Sequence, residues 1–174
     1  YLNYGVWIAE PRKSVPFDGD RILIRQIPSK LPYMVNAVFT DKAFINDINS
    51  MVVFNPVKTN LKFLLGCINS KLTSFWFDKK FDKMQRKIFP QFKVKELAIF
   101  PVPKINFQNK TEKVAHDKIV SLVEQMLEAK KEIKTAKTDK DKTYYERKCT
   151  SLDNAIDTDV YKLYNLSEEQ IAIA

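Results

Sequence analysis

The stretch Leu61–Lys95 reads LKFLLGCINSKLTSFWFDKKFDKMQRKIFPQFKVK, and its first half constrains the fold most. Leu61, Leu64, Leu65, Ile68, Leu72, Phe75 and Trp76 recur at i, i+3, i+4, i+7, i+11, i+14 and i+15. That spacing lays one apolar stripe along a helix, so a single buried helix is predicted over Leu61–Phe77. Thr59 and Asn60 offer an N-cap, and Pro56 stops any earlier helix. Gly66 sits mid-helix, where it costs about 1 kcal/mol against Ala. A close backbone approach is one reason to keep it there. The second half changes character. Lys71, Lys79, Lys80, Lys83, Arg86, Lys87, Lys93 and Lys95 face only Asp78 and Asp82 as acids in the stretch Lys71–Lys95. A buried helix thus delivers the chain into a basic loop containing aromatics and Gln.

Charge is unevenly spread. Residues 1–106 hold 17 Lys+Arg and 8 Asp+Glu, a net of +9, whereas residues 107–174 hold 12 and 13, a net of −1. A one-sided basic module points to a polyanionic partner, most often nucleic acid, against the plainer reading of a solvated basic surface. A length of 174 residues with 45% hydrophobic content fits one domain, or one domain with an appendage. Cys67 and Cys149 both fall on apolar helix faces and read as buried free thiols in a reducing compartment. No apolar run is long enough to span a bilayer. A start at Tyr1 rather than Met leads us to expect a piece of something longer.

Residues 1–57 read as strands and turns. Tyr4–Ala9 alternates weakly, Arg21–Ile27 (RILIRQI) more clearly, and Val35–Thr40 and Met51–Phe54 are further strand candidates. Phe17-Asp18-Gly19-Asp20 is a turn. The polar segment between the strands carries Asn46 and Asn49, whose amides suit adenine in a major groove but serve equally as turn formers. Ile99–Val102 is expected to be a short strand, fenced by Pro101 and Pro103.

The rest is helical. Ala115, Ile119, Leu122, Met126, Ala129, Ile133 and Ala136 alternate steps of 4 and 3, a coiled-coil seam. Thr138–Asp141 is a polar break, after which Tyr145, Cys149, Leu152, Ile156 and Leu163 resume the pattern. Two helices of roughly 25 residues, each roughly 37 Å long, would form an antiparallel hairpin. Val123 and Leu127 widen the first stripe where it would rest on the body. Ser167 and Gln170 form a capping box for a final helix.

Catalytic signals are weak. His116 is the sole histidine and is placed on a charged helix face, which argues against a metal cluster or a Ser/His or Cys/His pair. No G-x-G-x-x-G or P-loop pattern is present. Asn55-Pro56-Val57 only partly resembles the N-P-P-[YF] loop of adenine-specific methyltransferases. Asp78-Lys79-Lys80, Glu128-Ala129-Lys130 and Glu132-Ile133-Lys134 match half of a nuclease site, as chance allows in so charged a chain.

The order RILIRQI, LKFLLGCINSKLTSFWF, KIFPQFKVKELAIFPVP, IVSLVEQMLEAKK and LDNAIDTDVYKLYNLSEEQI resembles the TaqI-like C-terminal specificity domain over residues 15–174. LLGCINSKL and AIDTDVYKLYNLSEEQI carry the resemblance best, and residues 1–14 carry little of it. That family forms the target-recognition part of type II (often IIG) restriction-modification enzymes and adenine-specific DNA methyltransferases. The resemblance implies sequence-specific recognition of double-stranded DNA, with no catalytic residues in this segment. S-adenosylmethionine and catalysis would belong to an N-terminal methyltransferase or nuclease domain of the same polypeptide, in the cytoplasm. The expected fold is α+β. A small mixed or antiparallel sheet with a buried helix (1–106) forms the recognition body, followed by a helical hairpin and C-terminal helix (107–174). On the residue types alone, Lys79, Lys80, Lys83 and Lys87 are candidates for phosphates, and Gln85, Arg86 and Gln91 for base edges. Asn46, Asn49, Arg12 and Lys13 complete the DNA-binding candidates. Two alternatives stay open: an RNA or single-strand binder stacking bases on Phe77, Phe81 and Phe89, or a protein-interaction module built on the hairpin.

Overall fold

Three short strands and six helices follow one another along the described residues of this computed structural model, which are Gly5, Trp7, 15–54, 59–81, 91 and 93–173. The expected strand Tyr4–Ala9 lies largely outside them. Strands β1 (Arg21–Arg25), β2 (Ala37–Thr40) and β3 (Ser50–Phe54) form an antiparallel sheet in the order β2-β1-β3. Ile22 stands opposite Phe39 on one side and Val53 on the other. The RILIR run does not alternate as expected, since Arg21, Ile22, Leu23 and Ile24 are all buried. A central strand covered on both faces favours a continuous apolar run.

Arg21 is a charged residue at the buried end of that run. Its guanidinium donates to the carbonyls of Gly19 (2.9 Å), Lys42 (2.8 Å) and Phe44 (3.2 Å), and lies 5.0 Å from the Phe44 ring centre. The buried cation therefore staples the Asp18–Asp20 bend to the loop after β2, and Gly19 takes a positive φ of 67° in that bend.

The expected single helix is two. Helix α1 (Leu61–Ile68) ends at Asn69, and α2 (Lys71–Lys80) begins after Ser70. The reason is local hydrogen bonding that competes with the helix ladder. The Asn69 amide accepts from Ala37 N at 2.8 Å and donates to Ala37 O at 3.0 Å, as a neighbouring strand would. Ser70 caps α2 by accepting from Thr73 N. Asn60 caps α1, as its sequence position suggests. The period continues across the break, which is why the stripe reads as one helix.

Phe63, Ile68 and Phe77 from this pair join Ile22, Ile24, Val35 and Met51 of the sheet region in one core. The same core takes Ile119, Val123, Ile156 and Val160 from the two long helices, α4 (Lys110–Thr135) and α5 (Asp139–Leu163). A Cβ built on Gly66 would meet Ile119 Cγ2 at 2.9 Å and Val123 Cγ2 at 3.1 Å. The glycine is what lets α4 pack directly on the α1 backbone.

Helices α4 and α5 form the antiparallel hairpin. Ala129, Cys149 and Leu152 make a second buried cluster with Leu122, Met126, Ile133 and Tyr145 around it. The turn falls at 136–138, slightly earlier than expected, because Thr138 accepts from Asp141 N and starts α5 at Asp139. Asn165, at φ 53°, closes α5, and Ser167 and Gln170 bond reciprocally to open α6 (Glu168–Ile173).

Two further expectations change. Ile99–Val102 is not a strand, because α3 (Val94–Leu97) precedes it and the amides of Ile99 and Phe100 turn back to Glu96 and Leu97. His116 is not on an open charged face. It is 6% exposed, with its ring 4.7 Å from Phe63 and 5.0 Å from Phe107, and Nδ1 lies 2.8 Å from Asp117.

Candidate nucleic-acid interface

The described segments on either side of the basic stretch beyond α2 meet in a cluster of aromatic rings. Phe81 closes α2, and its ring lies 5.8 Å from Trp76 and 5.2 Å from Phe77. From the far side Phe100 comes within 5.5 Å of Trp76 and 5.8 Å of Phe77. Edge-on and tilted pairs at these distances are favourable, each worth about 0.5–1.5 kcal/mol beyond burial. The four rings bring the end of α2 and the segment after Leu97 together. Lys79 and Lys80 are exposed on the outgoing stem, and Lys93 and Lys95 on the returning one. Lys79 reaches Asp78 at 3.2 Å and lies over the Phe75 ring.

The opposite end of α2 is anchored as firmly. Asp157 of α5 is 3% exposed and accepts the Tyr33 hydroxyl at 2.9 Å and the first amide of α2, Lys71 N, also at 2.9 Å. Lys71 Nζ adds an ion pair at 3.4 Å. A carboxylate at a helix N-terminus satisfies an orphan donor and opposes the positive end of the dipole. Burial and the Asp157 carboxylate together raise the Tyr33 hydroxyl pKa, so that phenol stays a donor. Ser74, fully buried, accepts from the amides of Met34 and Val35. Helix α2 is thus tied at its start to the hairpin, at its middle to the segment before β2, and at its end to the aromatic clamp.

A family model described as the TaqI-like C-terminal specificity domain matches residues 1–102. The chain belongs to this family. No curated protein and no solved structure matches it. The TaqI-like match covers the sheet, α1, α2, α3 and the clamp. Contrary to expectation, it includes residues 1–14, expected to carry little of the resemblance, and stops before AIDTDVYKLYNLSEEQI, expected to be among its most specific parts. The hairpin therefore lies beyond the matched residues.

Within this TaqI-like frame the candidate residues separate. Lys79 and Lys80 stand at the exposed end of α2, and Gln91 is exposed close to the returning stem. Lys83, Gln85, Arg86, Lys87, Arg12 and Lys13 lie outside the described residues. Asn49 is exposed and donates to Asp47 Oδ2 at 3.3 Å, while its carbonyl accepts from Gln26 N. Asn46 is 8% exposed, and its amide donates to the carbonyls of Asp47 and Ser50. That is a turn-forming role, with the side chain turned away from solvent. Phe77 is fully buried and offers no face to a base, Phe81 is half-buried against Trp76 and Phe77, and Phe89 lies outside the described residues.

Sequence reading missed Lys62 and Lys71 as ties to the hairpin. Lys62 pairs with Glu124 at 2.6 Å and Lys71 with Asp157, so neither adds to the free positive surface. It also missed Asp157, which carries no local signal beyond its place on the buried side of an amphipathic helix. Among the described residues no group of three or more His, Cys, Asp or Glu is arranged to hold a metal ion, and no helix is long and apolar enough to cross a membrane.

Proposed function

We propose that this chain is the sequence-specific duplex-DNA recognition domain of a restriction-modification enzyme or adenine-specific DNA methyltransferase. The chemistry would reside in a linked methyltransferase or nuclease domain that binds S-adenosylmethionine. The observation that carries this reading is the set of exposed lysines, Lys79, Lys80, Lys93 and Lys95, that flank the basic stretch beside the aromatic cluster. Membership of the specificity-domain family, the net +9 over residues 1–106 and four exposed lysines on fixed stems agree on a polyanion held at a defined place.

In this reading Lys79, Lys80, Lys83 and Lys87 contact phosphates and set the register. Arg86, Gln85 and Gln91 read base edges, each good bidentate pair being worth about 1–3 kcal/mol of discrimination. Asn49 is the better placed of the two asparagines to join them. The test compares Lys83→Ala and Arg86→Ala in the enzyme that contains this chain. Lys83→Ala should weaken all duplexes about equally and lower the salt slope by about 0.9. Arg86→Ala should reduce the ratio of site to non-site affinity. An unchanged ratio would move the reading role away from this loop, and a flat salt response in the parent enzyme would sink the DNA assignment as a whole.

A further inference from the structure

The hairpin as a whole is nearly neutral, but its charge is segregated along its length. From Lys130 to Lys148 there are eight Lys and Arg against four Asp and Glu, a net of +4. The remainder of residues 107–174 holds four against nine, a net of −5. The two ends also differ in how their cations are used. Near the body, Lys113 pairs with Asp117, while Lys118 and Lys162 both reach the buried Asp159, at 2.8 and 3.5 Å. Toward the turn, Lys131 pairs with Glu128 at 3.2 Å, and Lys134, Lys137, Lys140, Lys142 and Arg147 are exposed with no ion pair among the described residues. Two of the four acids there serve the fold: Asp139 and Asp141 occupy the first turn of α5, and Asp141 accepts the Thr138 hydroxyl at 2.7 Å.

We propose that this turn region is a second phosphate-binding surface, engaging the backbone of the same duplex held by the body. This rests on the DNA-recognition reading above. The last α4 residue packed on the body core is Leu127, so α4 runs eight residues further, about 12 Å at 1.5 Å per residue. The Tyr164 end of α5 meets Pro101 beside the clamp, so these lysines lie about 37 Å further along α5, a span that a duplex running beside the hairpin covers. Lysine suits this role because it is a point charge that needs no fixed geometry, and phosphate contacts are sequence-independent. A protein partner fits less well. Tyr144 is the large hydrophobic exposed between Lys130 and Lys148, and it already packs against Tyr145 at 5.1 Å. Protein interfaces are centred on buried aromatic and apolar anchors, which this surface lacks.

The experiment uses the full chain and a duplex of about 30 base pairs, long enough to overrun the molecule at about 3.4 Å per base pair. The quadruple variant K134Q/K137Q/K140Q/K142Q should keep the wild-type melting temperature. Its slope of log affinity against log salt should fall by about 2 to 4, at about 0.9 for each phosphate no longer neutralised. The matching K134R/K137R/K140R/K142R variant should retain the slope, because charge rather than shape is at stake. A Gln variant with the wild-type slope would overturn the second surface while leaving DNA binding by the body intact. Wild-type chain that shows no salt-dependent duplex binding would instead overturn the reading on which it rests. If polyglutamate, and not DNA, loses affinity in the Gln variant, the surface is for an acidic protein and the proposal fails.

Discussion

Gly66 lies where α1 passes beneath Ile119, Val123 and Ile156, and an added methyl would press on two branched side chains belonging to another helix. Gly66→Ala should therefore destabilise the protein by about 1–3 kcal/mol, overriding the roughly 1 kcal/mol that alanine gains in helix propensity. Urea titration of the two proteins decides it. Asp157 is the second such residue. Asp157→Ala leaves the first amide of α2 and the Tyr33 hydroxyl without their acceptor, and should cost about 2–4 kcal/mol. Tyr33→Phe should cost about 1 kcal/mol, and the pair should show coupling in a double-mutant cycle. Burial pushes the Cys67 thiol up to about 12. The same group in an unfolded chain ionises at about 8.5, so the unfolded state sheds its proton first. That contribution to stability is complete below the unfolded value and is lost as pH rises toward the folded one. The hydroxyls of the half-buried Tyr33 and Tyr164 shift in the same direction, with partial burial the largest cause of each. The urea midpoint should accordingly fall between about pH 8 and pH 10.5, and less steeply in Cys67→Ala. A midpoint that rises over that interval would show the sign to be wrong.

At the scale of elements, apolar spacing was enough to locate β1, β2, β3, both hairpin helices and the seam between them. It located α1 and α2 as well, but not the join. Hydrophobic periodicity reports which residues face the core, and the facing survives a break if the two helices stay in phase. What broke the helix was the Asn69 amide bonding to Ala37, 32 positions away, and no local pattern announces such a partner. His116 was misplaced for a related reason. Its neighbours Lys113 and Asp117 are charged, yet its own ring lies between Phe63 and Phe107, one from α1 and one from the segment before α4. In the candidate interface, the basic composition and the aromatics were visible in sequence, but their division of labour was not: Phe77 and Phe81 build the clamp, and Lys62 and Lys71 hold the hairpin. The Asn69 contact can be weighed directly. Asn69→Ala should destabilise by about 1–3 kcal/mol, because it strands a donor and an acceptor on the outer side of β2. The seam offers a graded comparison. Leu152 is buried and Ile133 half-buried, so Leu152→Ala should cost about 2–4 kcal/mol and Ile133→Ala clearly less. Equal costs in thermal melts would mean that the seam is not packed as described.

For the molecule as a whole, the matched family region and the hairpin share one core. Phe63, Ile68 and Phe77 pack in it with Ile119, Val123, Ile156 and Val160. Asp157, Lys62 and the Tyr164 hydroxyl, which donates to the Pro101 carbonyl, add polar ties between the two parts. Unfolding of the full chain should be a single transition, with far-UV and tryptophan signals coincident. A fragment ending at residue 106 should fail to give a cooperative transition, since it bares the groove at Gly66 and the ring of Phe63 to water. Two separable transitions in the full chain would contradict this. The groove at Gly66 has a consequence for heredity as well as for folding. A new target specificity acquired by recombination at the family boundary would bring a foreign α1 against the resident α4, and the methyl-sized tolerance at Gly66 would have to match by chance. Crossovers that carry residues 1–106 and the hairpin together preserve that fit, so if the chain is the recognition part of an enzyme as proposed, the unit that can be traded is longer than the unit the family match delineates.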